Sequence, residues 1–177
     1  MDVGVSQLDR LWQQSTARLN RRLVDLADHE YFWQPVDDCW TVHRVPGAND
    51  RWTIDYDWPP PVPAPLTTIA WRIVHVANGN TIYLEHAFGP AVRTFMDLDP
   101  PRTAADAVAY LNVSCEAVTE RIRQSDDADL TEMRPSHLGS PRSAGEVLCI
   151  LVDEITHHGA EIGLLRDLYL RYPDRRF

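Results

Sequence analysis

Apolar residues recur at helical spacing through four stretches of the chain, and few runs alternate with the period of a strand. Between about Ser6 and Asp28, Leu8, Leu11, Trp12, Leu19, Leu23 and Leu26 form one stripe. After a proline cluster, "WPPPVPAP", the stretch "LTTIAWRIVHVANGNTIYLEHAF" is apolar around much of its circumference, which predicts a core helix. A third helix is expected to open at Thr103, with Asp106 at capping-box spacing, and to run through Val108, Leu111, Val118 and Ile122. The fourth follows "LGSPRSAGE", with Ser140 as N-cap and Pro141 at the first helical position, and reaches about Leu170.

The first two helices are joined by a long segment, Tyr31 to Pro65, that holds Trp33, Trp40, Trp52 and Trp58 and most of the prolines. A connection of that length inside one domain is usually functional or packed by its own side chains, so it is expected to fold onto the helices as a belt or lid. Four long helices and one long crossover predict an all-α four-helix bundle. The 177 residues suit a single domain spanning 1–177.

Composition narrows the function. The net charge is −9 and all 17 basic residues are arginine, so lysine Schiff bases and lysine general bases are excluded. An acidic domain without a basic stripe lacks the phosphate neutralisation that nucleic-acid binding needs, so no nucleic-acid partner is expected. The longest apolar run, "VLCILV", is far short of a membrane span. "MDVGVSQLDRLWQQS" has neither the basic start nor the apolar run of a secretion signal, which leaves a cytoplasmic location as the expectation. Cys39, Cys115 and Cys149 are odd in number and widely spaced, hence expected to be free and buried, with Cys149 in an apolar helical run. No GxSxG, P-loop, HExxH or GxGxxG pattern is present.

The chemistry concentrates in the last helix, in "DEITHHGAEIGLLRDLY". With Glu154 at the origin of a helical wheel, Leu151, Ile155, Ile162, Leu165 and Tyr169 span roughly 20° to 100° and mark the buried face. His158, near about 40°, lies within that face; Glu154 and Glu161 border it; His157, near about −60°, points outward. An inward Glu and His at i and i+4 suit a metal if another helix adds a ligand, and equally suit a buried hydrogen bond between the two. On the second helix Thr68, Trp71, His75, Asn78 with its neighbour Gly79, Ile82 and His86 recur every three or four residues, a polar and aromatic line that suits a pocket wall. His75 lies mid-line and is the candidate third ligand. His29 is expected to cap the C-terminus of the first helix, and His43 and His137 to lie in surface loops. Trp40 and Tyr83 are weaker candidates for the pocket wall.

"TTIAWRIVHVANGN" and the terminal "HHGAEIGLLRDLY", together with the loop "WQPVDDCWTVHRV", resemble the DinB-like superfamily over essentially the whole chain. That group includes the damage-inducible DinB proteins and the N-terminal domain of mycothiol-dependent maleylpyruvate isomerase. The resemblance implies an up-down-down-up bundle, commonly a homodimer. It further implies a divalent metal, zinc or nickel, held by one histidine of the second helix and an HxxxH pair in the last. His75 matches the first of these and His158 the second histidine of the pair, whereas Glu154 stands where the pair's first histidine belongs. A carboxylate also binds zinc, so the implied ligand set is His75, Glu154 and His158, with His157 and Glu161 as candidates for the shell behind it. The activity implied is thiol transfer or isomerisation on a small electrophile, using a low-molecular-weight thiol such as mycothiol. A metal-free binding bundle is the alternative, and a metal-dependent hydrolase a third.

Overall fold

The computed structural model describes residues 2–47 and 50–172. In chain order it has α1 (Val3–Leu23), the short α2 (Asp28–Tyr31), the strands β1 (Val42–Arg44) and β2 (Trp52–Ile54), and α3 (Ile69–Phe88). There follow α4 (Ala104–Arg123), β3 (Met133–Arg134), β4 (Arg142–Ser143) and α5 (Ala144–Arg171). The molecule is therefore mostly helical, with two small antiparallel strand pairs, β1–β2 and β3–β4, in place of a purely helical fold.

The four long helices close a ring in which α1 packs on α4 and α5, and α3 packs on the same two. Side-chain pairs give their directions. Ser15 meets Thr156 and Arg22 meets the Gly163 carbonyl, so α1 and α5 run the same way. Arg72 meets Glu161 while His75 meets Glu154, so α3 runs against α5. Trp12 and Leu19 of α1, Ile73 and Val74 of α3, Leu111, Val118 and Ile122 of α4, and Leu148, Leu151, Ile155 and Ile162 of α5 fill the interior. Burying each such aliphatic side chain contributes about 1.5–3 kcal/mol.

Two boundaries differ from expectation for local reasons. The first helix ends at Leu23 because Asp25 takes φ 58°, a left-handed conformation that aspartate tolerates and a helix does not. The chain then re-enters a helical turn as α2, so His29 is not at the end of α1; its ring lies against Tyr169, centroids 5.7 Å apart. The last helix begins not at Ser140 but after Ser143, whose hydroxyl accepts from the Glu146 amide (3.2 Å) while Glu146 takes the Ser143 amide (2.8 Å). Arg142 and Ser143 are held extended by pairing with Arg134 and Met133, which moves the helix start past Pro141. Cys39 and Cys115 are buried, but Cys149 is exposed, because the apolar run around it does not cover the outer side of α5.

The long connection is partly a belt. It contains the β1–β2 hairpin, and Trp33 and Trp52 pack against the core, whereas Trp58 is exposed. Trp40 pairs its backbone with Leu66 and Thr68 (2.8 and 2.9 Å), tying the segment to the start of α3. No helix among the described residues is long and apolar enough to cross a membrane.

Candidate metal centre

α3 is capped by Thr68, whose hydroxyl accepts from the Trp71 amide at 3.2 Å, so residues 71, 72, 75 and 78 sit in its first three turns. The antiparallel run of α5 brings 161 beside 72 and 154 beside 75. One carboxylate oxygen of Glu154 lies 3.2 Å from His75 Nε2 and 3.4 Å from His158 Nε2. The two imidazoles are perpendicular, with centroids 5.0 Å apart. His75, Glu154 and His158 thus offer ligand atoms within 4.8 Å of one another, a group that could hold a metal ion.

A second layer surrounds His158. Its Nδ1 lies 2.7 Å from Glu161, and Arg72 reaches both Glu161 and His158 Nδ1, the latter at 3.1 Å. Arg72 is buried, and desolvation pushes its pKa down to about 10, offset in part by the Cys39 thiol nearby. His75 is oriented differently. Trp71 stacks on it at 4.5 Å and 11° from parallel, and the Trp71 indole N–H is fixed by the Asp55 carbonyl at 2.7 Å. His75 Nδ1 is buried without a partner.

Burial lowers the pKa of His158 to about 4, against the smaller raising effect of Glu154, so its imidazole is neutral at pH 7. For Glu154 burial works toward a higher pKa, but hydrogen bonds from His158 and His75 outweigh it and hold the carboxyl well below its usual range. The neutral imidazole of His158 and the ionised carboxylate of Glu154 are in the protonation states that metal ligation needs.

His157 and His158 part as the wheel separates them: His157 is exposed, its Nδ1 bonded to the Asp153 carbonyl at 2.8 Å, while its ring rests 3.9 Å from that of His158. His157, His158 and Glu161 form a second, more open group of ligand-type side chains. Trp40 reaches the centre only through Trp71, at 5.9 Å, whereas the Tyr83 phenol is near enough to Glu154 that the carboxylate adds to the rise in its pKa caused by burial. His43 pairs with Asp55 at 3.0 Å, away from the ligand group. His137 is half-buried against Phe95 and Tyr83 rather than on the surface. Arg72, Asp55 and Phe95 were not singled out from sequence. For Arg72 a signal existed: it is the only charged residue in "TIAWRIVHVANG", and a buried cation needs partners.

A family model described as the DinB superfamily matches residues 11–162. No curated protein and no solved structure gives a significant match.

Proposed function

The chain belongs to the DinB superfamily, and on that premise we propose that it binds a divalent metal through His75, Glu154 and His158 and transfers a low-molecular-weight thiol to a small electrophile. The helix directions support the up-down-down-up order of such a bundle, with α1 and α5 parallel to each other and antiparallel to α3. The observation that carries the metal reading is the convergence of His75, Glu154 and His158, whose ligand atoms all lie within 4.8 Å of one another. His158 Nδ1 lies 2.7 Å from Glu161 and 3.1 Å from Arg72; in the tautomer that donates to Glu161, the Nε2 lone pair faces Glu154 and is free for a cation.

The donor set fits such a cation. Ligands about 2.0–2.1 Å from tetrahedral zinc stand roughly 3.3 Å from one another, which matches the 3.2 and 3.4 Å separations here. Glu161, itself bonded to Arg72, orients the His158 ring, the role a carboxylate behind a ligating histidine commonly has. Trp71 covers His75 and keeps water from one side of it. When bound, the metal supplies a Lewis acid that lowers the pKa of a thiol at neutral pH. Zinc and nickel both suit two imidazoles and a carboxylate. Mycothiol as the thiol, and a homodimer, come with the family reading.

A metal-free binding bundle is the competing reading, and one observation favours it. His75 Nδ1 lacks the outer partner that ligating histidines usually have, and 3.2 Å to Glu154 is also a hydrogen-bond distance. Elemental analysis of the purified protein separates the two. We expect one Zn²⁺ or Ni²⁺ per chain, lost in His75→Ala and in His158→Ala. Sub-stoichiometric metal that added Zn²⁺ or Ni²⁺ does not restore sinks the metal reading. If metal is present, consumption of mycothiol with monochlorobimane is expected, and activity only on a hydrolase panel would exclude thiol transfer.

A further inference from the structure

A cavity of about 140 Å³ opens against His75, on the side of the β1–β2 hairpin and the turn at Phe95–Asp97. Its wall includes Trp52, Ile54, Tyr56, His75, Asn78 and Phe95. A cavity of roughly 150 Å³ with an apolar lining holds one benzene molecule, so this space admits a single ring and little more. The wall holds four rings, those of Trp52, Tyr56, His75 and Phe95, and the rings of His75 and Phe95 are 15° from parallel, centroids 6.4 Å apart. Flat walls favour a flat occupant.

Among the described residues, three polar groups of the wall lack a protein partner: Trp52 Nε1 and His75 Nδ1, which are buried, and the amide nitrogen of Asn78. Asn78 is 2% exposed, and its Oδ1 accepts from the Tyr110 hydroxyl at 2.8 Å. Among the described residues no acceptor meets its amide nitrogen, although the side chain borders the cavity. A donor bordering the cavity with no protein acceptor is free to bond a ligand oxygen there, an interaction worth about 0.5–1.5 kcal/mol. Asn78 also belongs to the polar line along α3 that a core helix has no use for.

We propose that this cavity binds a small molecule built on one aromatic ring and bearing a carbonyl-type oxygen, the ring against Trp52, Ile54, Tyr56 and Phe95 and the oxygen accepting from Asn78. This names the substrate class of the centre proposed above and rests on that reading for its role in catalysis. Binding itself needs no metal, because every contact named is made by a side chain of this chain. Aldehyde and carboxylate present the same acceptor, and they differ in charge.

The test is ligand-observed NMR titration of the full chain, both metal-stripped and metal-loaded, with benzaldehyde, benzoate and toluene. We expect one of the two oxygen-bearing rings to bind in both metal states, and to bind more tightly than toluene. Asn78→Leu should weaken that ligand roughly three- to tenfold, the worth of one hydrogen bond, and leave toluene unchanged. Ile54→Trp, on the hairpin rather than in the helical core, should fill the space and abolish binding of all three. Circular dichroism confirms that each variant is folded, and either variant alone suffices. No binding by either oxygen-bearing ring, undiminished binding in folded Ile54→Trp, or binding only in the metal-loaded protein overturns the proposal. Aromatic binding by a protein that takes up no metal would leave this pocket standing and remove the metal reading instead.

Discussion

Glu154 is a carboxylate among imidazoles, and its two close nitrogens come from helices that are distant in sequence. Behind it, Glu161 links His158 to the buried Arg72. If Glu161 orients a ligand, Glu161→Gln should lower Zn²⁺ affinity about 10–100-fold with metal stoichiometry kept, as measured by competition with a chelating dye. Unchanged affinity would reduce Glu161 to a surface contact. The metal-free protein should also carry a pH signature. Burial holds His158 at about 4, below its ordinary 6.5. On acidification the unfolded chain therefore takes up a proton that the folded chain refuses, and stability falls as pH drops from about 6.5 toward 4. Glu154, held below its ordinary carboxylate range, adds a loss of the same sign below about 4.5. Urea midpoints of chelator-treated protein should decline between pH 7 and 4.5, with a shallower slope in His158→Gln. An equal slope would take His158 out of that account.

At the scale of the element, the start of α5 distinguishes two serines that look alike in sequence. Ser143 and Glu146 exchange bonds as a capping box, while Ser140 lies in the turn before β4. Ser143→Ala should cost about 1 kcal/mol in chemical denaturation and Ser140→Ala close to nothing. A larger loss at Ser140 would mean that the helix starts earlier. The difference bears on the candidate centre, because α5 carries Glu154, His158 and Glu161 from this end. Helical periodicity was legible in all four long helices, since it depends on near neighbours along the chain. The N-terminus of α5 was not. β4 is held extended by β3, eight residues earlier at its nearest pairing, and that competition is invisible to a local motif.

Across the whole molecule, one buried ion pair joins the start of the long connection to α5. Arg166 donates to both oxygens of Glu30, at 2.6 and 2.9 Å, and also to the carbonyls of Arg22 and Val24 where α1 ends. Both side chains are nearly buried, 4% and 12% exposed. Removing one partner leaves the other charge uncompensated, so Glu30→Ala should destabilise the fold by about 3–5 kcal/mol. The half-exposed pair Arg22–Asp167 is the contrast: solvent screens it, so Asp167→Ala should leave stability almost unchanged. Denaturation curves of the two variants test the ranking, and similar losses would contradict it.

The amino-acid sequence by itself determined the helical stripes, the inward azimuth of His158 against the outward one of His157, and the line of side chains on α3 that includes His75 and Asn78. Each of these is a property of one helix, set by the 100° turn between successive residues. Tertiary structure alone decided what those side chains meet. The separations of 3.2 and 3.4 Å about Glu154, the partnership of Arg72 with Glu161 and His158, and the cavity between Asn78 and the β1–β2 hairpin all depend on the register of α3 against α5 and on how the long connection folds back. Register is set by packing over the whole interface, a sum of many small contacts that no single stretch of sequence contains.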